Sequence, residues 1–340
     1  MIVGHYHTLR RLLPWFGVAI ASVIGAGFLW YALQSVEWHS VWNVLAHAKR
    51  RYLFAAAGLF TLAMFLRGFR WRLLLRDARV DTKYLVLVET TAIGVNSVSP
   101  IPVLDEPTRV GLLLMRGIPA GTVLATMAAM RTFELAMQAA IGVTGIVYLA
   151  PLRGLAPYFV AAATLSVVGI IALFGIGPLL RRVKILAKLP MVRDFSSGVQ
   201  IMRQNPLLTL FSFLMTAAYA IVIGMSGWML GKAVGIEMGM LALTIVSLAV
   251  IFFTDWIPGL PGAVGTFEFV ALYFLGLWSV DRSAAFSYAI LLHILFFVPP
   301  LLVAAFYLPY AGFRSVGAVL DLVRQRRERR DQAGIALVVR

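Results

Sequence analysis

The chain has 340 residues, of which 61% are hydrophobic and only 13% are charged, and its mean hydropathy is +0.87. Because about a quarter of the residues in a typical soluble domain are charged, this composition excludes an ordinary soluble protein. The formal net charge of +15 would by itself fit a nucleic-acid-binding protein, and the lack of cysteine excludes disulfides, thiolate metal sites and thiol catalysis.

The apolar segments are continuous and about 20 residues long, which is the length that a helix needs to cross a bilayer. A membrane β-barrel would instead show shorter segments of alternating polarity. We therefore predict an all-α, polytopic integral membrane helix bundle with about six full spans and two re-entrant or broken hairpins. The predicted full spans cover residues 12–33, 52–66, 119–149, 158–180, 207–231 and 284–309.

The first apolar run is too long for a signal peptide and lacks a small-residue cleavage site, so we predict a retained first span. Residues 38–51 then predict a short amphipathic helix at the membrane interface, with Trp38 and Trp42 on one face. The second span ends in the stretch RGFRWRLLLRDAR, which surrounds Trp71 with arginines such as Arg70. We interpret these arginines as interfacial anchors and topology markers, with contact to anionic lipid headgroups as the alternative.

The first broken segment follows. Residues 84–95 are apolar but number only about a dozen, too few to cross a hydrocarbon core of about 30 Å. This run ends at Asn96 and at a turn that contains Pro100 and Pro102, and the apolar pattern resumes over residues 110–115. Two short arms around a polar tip predict a re-entrant hairpin, with a distorted pair of full spans as the alternative.

A second broken segment lies near the C-terminal end of the apolar part of the chain. Residues 238–253 are followed by TDWIPGLPGAVGTFE, which again places prolines, glycines and two acidic residues between apolar arms. The repeated pattern predicts two related halves, arranged as an inverted repeat, whose broken segments meet at mid-membrane. Transporters built in this way bind their substrates between such segments.

Charged residues within these segments are the candidate site, because a charge at the centre of a membrane helix costs about 2.5–3.5 kcal/mol. Arg131 and Glu134 lie three residues apart, which places them on one helix face and predicts a pair. One interpretation is a structural ion pair. The other is that Arg109 and Arg131 hold a phosphate, because a guanidinium stays charged when buried and binds phosphate through two hydrogen bonds.

Acidic groups near these arginines would neutralise the empty site. Asp105 and Glu106 are adjacent, and we expect their side chains to converge in the proline-rich turn. Glu89 has no evident partner in the sequence, which favours a protonated form. Asp255 and Glu268 are interpreted as helix caps or as ion-pair partners of the two arginines.

Glycines of the second broken segment let the backbone approach a ligand, and the positive end of a half-helix that starts near residue 264 would favour an anion. We interpret His293, on an apolar helix, as a packed histidine. The candidate substrate-binding residues are therefore Asn96, Asp105, Glu106, Arg109, Arg131, Glu134, Asp255, Gly259, Gly262, Gly265 and Glu268.

The sequence contains no Walker A loop, nucleotide-binding glycine fingerprint, HExxH motif or GxSxG motif. We therefore predict that the chain is not an enzyme and uses no cofactor and no metal. The alternative is a membrane-embedded transferase for a lipid-linked substrate, in which Asp105 and Glu106 act as acid, base or metal ligands. Transport by this chain alone would be passive, ion-coupled or driven by a partner.

The positive charges also predict an orientation. With both termini in the cytoplasm, most loop and tail lysines and arginines lie on the cytoplasmic side of the cell membrane, as the positive-inside rule requires. This distribution explains most of the net charge without nucleic acid. Residues 1–312 are predicted to form the transmembrane domain, and residues 313–340 a basic cytoplasmic tail.

Taken in chain order, the motifs resemble the flippase-like transmembrane region of the lysylphosphatidylglycerol synthases and their stand-alone relatives. The residues that carry the resemblance are Arg70 and Trp71, then Asn96, Pro100, Glu106, Pro107 and Arg109, then Arg131 and Glu134, and finally Pro258, Gly259, Gly262, Gly265 and Glu268. The resemblance covers residues from about 10 to 320 and implies lipid translocation or lipid handling. Asp105 stands where the family usually has glycine, and Met130 where it usually has glutamate. The aminoacyl-transferring domain of the full synthases is not found in this sequence.

Our first hypothesis is therefore a lipid flippase or lipid transporter that binds a lipid phosphate headgroup at mid-membrane between the two broken segments. Glu106, Glu134 and Glu268 would act as counter-charges, and Glu106 or Glu268 would carry the proton if protons drive the cycle. Besides the transferase, the alternatives include a membrane scaffold for a separate lipid-modifying enzyme. The expected partners are a phosphate-bearing lipid, the membrane, and either a second copy of the chain or such an enzyme, with no nucleic acid.

Overall fold

The computed structural model describes residues 2–34, 36–98, 104–182, 189–257 and 259–312, with the side chains of residues 2–16, 176–182, 255 and 256 outside this description. The predictions for Pro100, Pro102, Pro258 and the tail at residues 313–340 therefore lie outside the described residues. Within those residues the chain forms only α-helices and short 3-10 helices, with no β-strand, so the predicted all-α class is confirmed. The α-helices are α1 (Ile2–Leu33), α2 (Trp38–Ala46), α3 (Arg50–Leu74), α4 (Thr82–Asn96), α5 (Asp105–Met115), α6 (Ala120–Tyr148), α7 (Ala156–Arg182), α8 (Pro190–Gln204), α9 (Pro206–Ala233), α10 (Met240–Trp256), α11 (Thr266–Gly276) and α12 (Arg282–Tyr310).

Four stretches of described helix are long and apolar enough to cross a membrane, namely Arg50–Leu74, Ala150–Gly175, Pro206–Ala233 and Arg282–Tyr310. A fifth results if the bent pair Gly17–Leu33 and Trp38–Ala46 is counted as one span. These helices confirm a polytopic helical membrane protein. The sixth predicted span corresponds to helix α6, which has 29 residues. It belongs neither to these four helices nor to the bent pair.

Helix boundaries differ from the predicted ones at two places. Helix α3 continues to Leu74, whereas the prediction ended the span at residue 66, where the arginines begin. Helix α8 was not predicted; it begins with Pro190, a residue that is favoured at the first helical position because its ring fixes a helical φ and its missing N–H has no acceptor there.

The described residues group into two compact units. The first comprises Met1–Gly58, Ile93–Asp105 and Gly224–Leu302, and the second comprises Leu59–Ala92, Glu106–Ile223 and Val303–Arg340, in each case as far as the residues are described.

In the second unit, α6 packs against α7 and α8. Small residues allow this close approach, as is usual between membrane helices, where packing and not the hydrophobic effect drives association. At Gly198 in α8, an added Cβ would lie only 2.9 Å from the Cβ of Ala125 in α6. Helix α6, which carries Arg131 and Glu134, therefore packs closely against α8.

In the first unit, α11 packs against α1 and α10, with Phe28 stacked on Phe269 at a centroid separation of 4.4 Å. The break predicted in this region is present: α10 ends at Trp256, a 3-10 turn covers Pro261–Ala263, and α11 begins at Thr266. Gly262 and Gly265 have φ values of +74° and +88°, a conformation in which a Cβ is strained. The glycines therefore make the reversal between the two half-helices.

Candidate functional site

Four arginines and two glutamates of the second unit form one connected set of ion pairs, which we call the arginine–glutamate cluster. Helices α3, α4, α5 and α6 supply its members, which are Arg67, Arg70, Glu89, Arg109, Arg131 and Glu134. The cluster assembles because Arg67 and Arg70 lie three residues apart and so share one face of α3.

The first half of the cluster is centred on Glu89, whose side chain is completely buried. Its Oε2 accepts hydrogen bonds from Nε of Arg67 at 2.8 Å and from Nε of Arg109 at 3.2 Å. Glu89 was expected to lack a partner and to be protonated, and this expectation is wrong about the partner, because two arginines contact the carboxylate. The sequence could not show this pairing, since Arg67 lies 22 residues away.

The second half is centred on Glu134 in α6. Its Oε1 accepts a hydrogen bond from Nη2 of the buried Arg70 and lies 3.8 Å from Nη2 of Arg67. Its Oε2 lies 3.6 Å from Nη1 of Arg131, so the predicted pairing of Arg131 with Glu134 is present. Because Arg67 contacts both glutamates, the two halves form one network.

Side chains of α9 complete the surroundings of the cluster. Arg70 donates to the Thr216 hydroxyl at 3.3 Å, and Arg67 donates to the Tyr219 hydroxyl at 3.1 Å. The guanidinium of Arg70 also lies 5.0 Å from the centre of the Tyr219 ring, within the range of a cation–π interaction. Two buried polar atoms of the cluster, Arg70 Nε and Glu89 Oε1, have no hydrogen-bond partner in the described part of the chain.

The arginines around Trp71 were interpreted as interfacial anchors, and this interpretation is wrong for Arg70, which is buried together with Trp71. Both side chains are completely buried, and Trp71 donates from Nε1 to the Thr126 hydroxyl at 3.0 Å. Burial follows from the continuation of α3 to Leu74, which turns these residues toward the other helices. Arg67 and Arg70 are thus site residues that the sequence interpretation missed, although their spacing of three on one helix face was a usable signal.

The four arginines differ in how accessible they are. The side chains of Arg67, Arg70 and Arg109 are 12%, 0% and 3% exposed, whereas that of Arg131 is 41% exposed. Arg131 is therefore the most exposed arginine of the cluster. It lies well inside the 29-residue helix α6 and not at its end.

Asp105 and Glu106 do not converge in a turn, because both belong to the first turn of α5. Asp105 is buried and Glu106 is exposed, as expected for neighbours that point about 100° apart on a helix. Asn96, at the end of α4, accepts a hydrogen bond through Oδ1 from the backbone N–H of Leu104 at 3.1 Å. Asn96 therefore joins the two sides of the first broken segment.

Glu268 in the first unit acts as a cap, as one of the two predictions for it stated. Its Oε2 accepts the backbone N–H of Gly265 at 2.7 Å, which closes a capping box at the start of α11. Its own carboxylate thus occupies the half-helix end that was expected to favour an anion. The other oxygen of Glu268 lies 2.5 Å from Nδ1 of His293. His293, interpreted as a packed histidine, does stack on the Phe267 ring, and it also has this polar partner.

The three candidate glycines line the same break. An added Cβ at Gly259 would lie 2.6 Å from the Thr266 hydroxyl oxygen, and one at Gly262 would lie 3.4 Å from the Ser97 carbonyl oxygen. The second contact shows that the end of α4 and the 3-10 turn approach each other within the first unit. The side chain of Asp255 lies outside the described part of the structure.

The structure therefore brings together Arg109, Arg131 and Glu134 in the second unit, and Gly259, Gly262, Gly265 and Glu268 in the first. This fold and this buried, arginine-rich ion network define a class: multi-pass helical membrane proteins with an ionic site among their helices. Residues 15–304 match the family of the lysylphosphatidylglycerol synthase transmembrane region.

The chain belongs to this family, and the resemblance inferred from the ordered motifs is confirmed. The family membership makes the chain a phospholipid-related membrane protein. No curated protein sequence matches the chain.

Proposed function

We propose that the chain is a lipid flippase or lipid transporter, and that it binds the phosphate of a lipid headgroup at the arginine–glutamate cluster. The proposal retains Arg109 and Arg131 as phosphate ligands and adds Arg67. It assigns no bond-making or bond-breaking step to the chain. Family membership supports the lipid as substrate, and the charge of the cluster supports the phosphate.

The main support for a phosphate ligand is the excess of positive charge in the cluster. Among the described side chains, four arginines face two glutamates, which gives these six groups a formal charge of +2. Buried Asp105 lies one helical turn before Arg109, and counting it as ionised still leaves +1. Because a charge at the centre of a membrane helix costs about 2.5–3.5 kcal/mol, an anionic group that joins the cluster is stabilised there.

The accessible position of Arg131 supports a route for the anion. Its contact with Glu134 spans 3.6 Å, longer than a charge-assisted hydrogen bond of about 2.7–2.9 Å. A phosphate that arrives at Arg131 competes with this long contact first and leaves the pair of Arg70 with Glu134 intact. The two glutamates then act as counter-charges that keep the empty site stable.

The charge distribution of the sequence supports a location and an orientation. We place the chain in the cytoplasmic membrane with both termini inside, because the basic loops then obey the positive-inside rule.

The alternative function, a transferase, would need a reacting group close to the bound phosphate. Since Asp105 is buried and Glu106 exposed on one helix, the two carboxylates do not converge as such a site requires, which favours transport.

The test is reconstitution of the purified chain into liposomes that contain a trace of a fluorescent lipid. Loss of outer-leaflet signal is followed for an anionic phospholipid, a zwitterionic phospholipid and a neutral glycosyldiacylglycerol with the same acyl chains but no phosphate. We expect the protein to accelerate movement of the phosphate-bearing lipids only. Equal acceleration of the phosphate-free lipid, or no movement of any lipid with a folded protein, would overturn the proposal.

A further inference from the structure

The ring of His293 lies between two oxygen atoms of the second broken segment. Nδ1 is 2.5 Å from Oε1 of Glu268, and Nε2 is 2.8 Å from the carbonyl oxygen of Gly262. The imidazole stacks against the Phe267 ring at 4.6 Å and meets the Phe297 ring edge-on at the same distance. These contacts fix the orientation of the ring, so each nitrogen has one defined partner.

The partners determine where the protons are. A backbone carbonyl oxygen accepts hydrogen bonds and never donates them, so Nε2 must carry a proton. One further proton must lie between Nδ1 and the Glu268 oxygen, because two lone pairs at 2.5 Å would repel each other. The pair is then either imidazolium with carboxylate or imidazole with carboxylic acid, and both forms have zero net charge.

Loss of this shared proton changes the pair in a defined way. The neutral imidazole keeps its Nε2 proton, Glu268 becomes a carboxylate with no compensating charge, and two lone pairs face each other. Since an uncompensated charge in an apolar, aromatic setting is costly, the contact is stable only while the proton is present. The first turn of α11 then loses its contact with α12, and opening of that turn also breaks the hydrogen bond from the Gly265 N–H to the other oxygen of Glu268.

Other ionisable groups nearby have partners of their own. On the helices that pack against α11, and on α12 itself, Arg282 donates to the Tyr31 carbonyl oxygen at 2.6 Å, and the Tyr288 hydroxyl pairs with Ser247 at 2.9 Å. Tyr273 of α11 is exposed and packs against Phe269 and Phe274. The side chain of Asp255 in α10 lies outside the described residues. Among the described residues of these elements, the contact between an acidic and a basic side chain that can share a proton is the one between Glu268 and His293.

We propose that Glu268 and His293 form a proton-binding site that fastens the second broken segment to α12. His293 contacts the tip of the segment at Gly262 through Nε2 and the start of α11 through Glu268, and the shared proton holds the second of these contacts. Release of the proton frees the start of α11 from α12, while Nε2 still donates to Gly262. The site stands on the geometry of the first unit alone, and in a transport cycle it would couple movement of the start of α11 to uptake and release of a proton.

The experiment is hydrogen exchange of the full-length purified chain in lipid nanodiscs, from about pH 5 to about pH 9, the range in which histidine commonly titrates. The reporter is the Gly265 amide, which donates to Glu268, and each rate is corrected for the intrinsic pH dependence of exchange. If one proton controls opening, the opening constant should rise tenfold per pH unit above the point at which the proton leaves. The Leu243 amide, which bonds to the Gly239 carbonyl at 3.2 Å, is the internal control and should show a constant opening constant.

The decisive variant is Glu268→Gln. Its carboxamide accepts the Gly265 N–H through oxygen and donates through nitrogen to neutral Nδ1, so the contact persists without a titratable proton. We expect its Gly265 opening constant to be independent of pH and at least tenfold below that of the wild type at the alkaline end. His293→Phe should be open at every pH.

Two outcomes would overturn the proposal: a pH-independent opening constant in the wild type, or the same slope in Glu268→Gln as in the wild type. If His293→Phe does not fold, the comparison of the wild type with Glu268→Gln still decides the question. No lipid is transported in this experiment, so its failure is distinct from failure of the proposed function.

Discussion

Arg67 donates from Nε to Oε2 of Glu89 over 2.8 Å, between two helices of the second unit. This bond connects Glu89 and its second partner Arg109 to the other half of the cluster, because Arg67 also lies 3.8 Å from Glu134. A change at either glutamate is therefore expected to affect both halves. Substitutions within this network should be non-additive, as is general for residues that share partners.

Replacement of Arg70 by methionine should destabilise the protein strongly. The side chain is completely buried and donates to Glu134, and removal of one partner of a buried ion pair costs about 3–5 kcal/mol. Denaturant unfolding in detergent would measure the loss. The double variant Arg70→Met with Glu134→Gln should not recover the loss, because Glu134 also contacts Arg67 and Arg131 and its replacement removes a carboxylate that these arginines use.

The matched control for Arg70→Met is Arg76→Met, which lies just after the same helix. Arg76 is exposed and donates to the Asn205 side chain at 2.7 Å, and exposed polar contacts contribute little to stability. Equal losses for the two variants would show that Arg70 is not part of a buried network.

Replacement of Trp71 by phenylalanine should lower the stability of the protein by about 1–3 kcal/mol, because it leaves the buried Thr126 hydroxyl without its donor. Trp30→Phe is the control, since Trp30 is exposed. Thermal unfolding of both variants in the same detergent would test the prediction. A larger loss for Trp30→Phe than for Trp71→Phe would contradict the buried position of Trp71.

Replacement of Gly265 by alanine should destabilise the second broken segment more than the same change at Gly235. Both residues have positive φ, +88° and +80° respectively, so an alanine is strained at either position. The new Cβ at Gly265 would lie 2.9 Å from the Leu29 backbone nitrogen, whereas at Gly235 it meets nothing within 4 Å. Overpacking of this kind adds about 1–3 kcal/mol, and denaturant unfolding would resolve the difference. Equal losses would mean that α1 does not lie against the start of α11.

Hydropathy and helix spacing predicted much of this protein. Continuous apolar runs identified the membrane helices because burial in lipid demands them, and prolines and glycines marked both breaks because they interrupt helices or reverse the chain. The pair of Arg131 with Glu134 was also predictable, since a separation of three residues fixes both side chains on one helix face.

The rest of the site depended on contacts between distant parts of the chain. A run of arginines after an apolar segment lies either at the interface or inside the bundle, and the choice depends on where the helix ends. Because α3 continues to Leu74, Arg67 and Arg70 turn inward and meet Glu89 and Glu134. The sequence also did not show that Glu268 is the hydrogen-bond partner of His293, because the two residues are 25 positions apart in the chain.

The most direct test of the central claim compares lipid movement by the wild type, Arg131→Ala and Arg153→Ala in liposomes. Arg131 is partly exposed and its contact with Glu134 is long, so its removal should leave the protein folded, as its unfolding temperature would verify. We predict at least a tenfold loss of phospholipid movement for Arg131→Ala and none for Arg153→Ala, which changes an exposed arginine in the 3-10 turn before α7. Full activity in folded Arg131→Ala would contradict the proposal that this arginine binds the lipid phosphate.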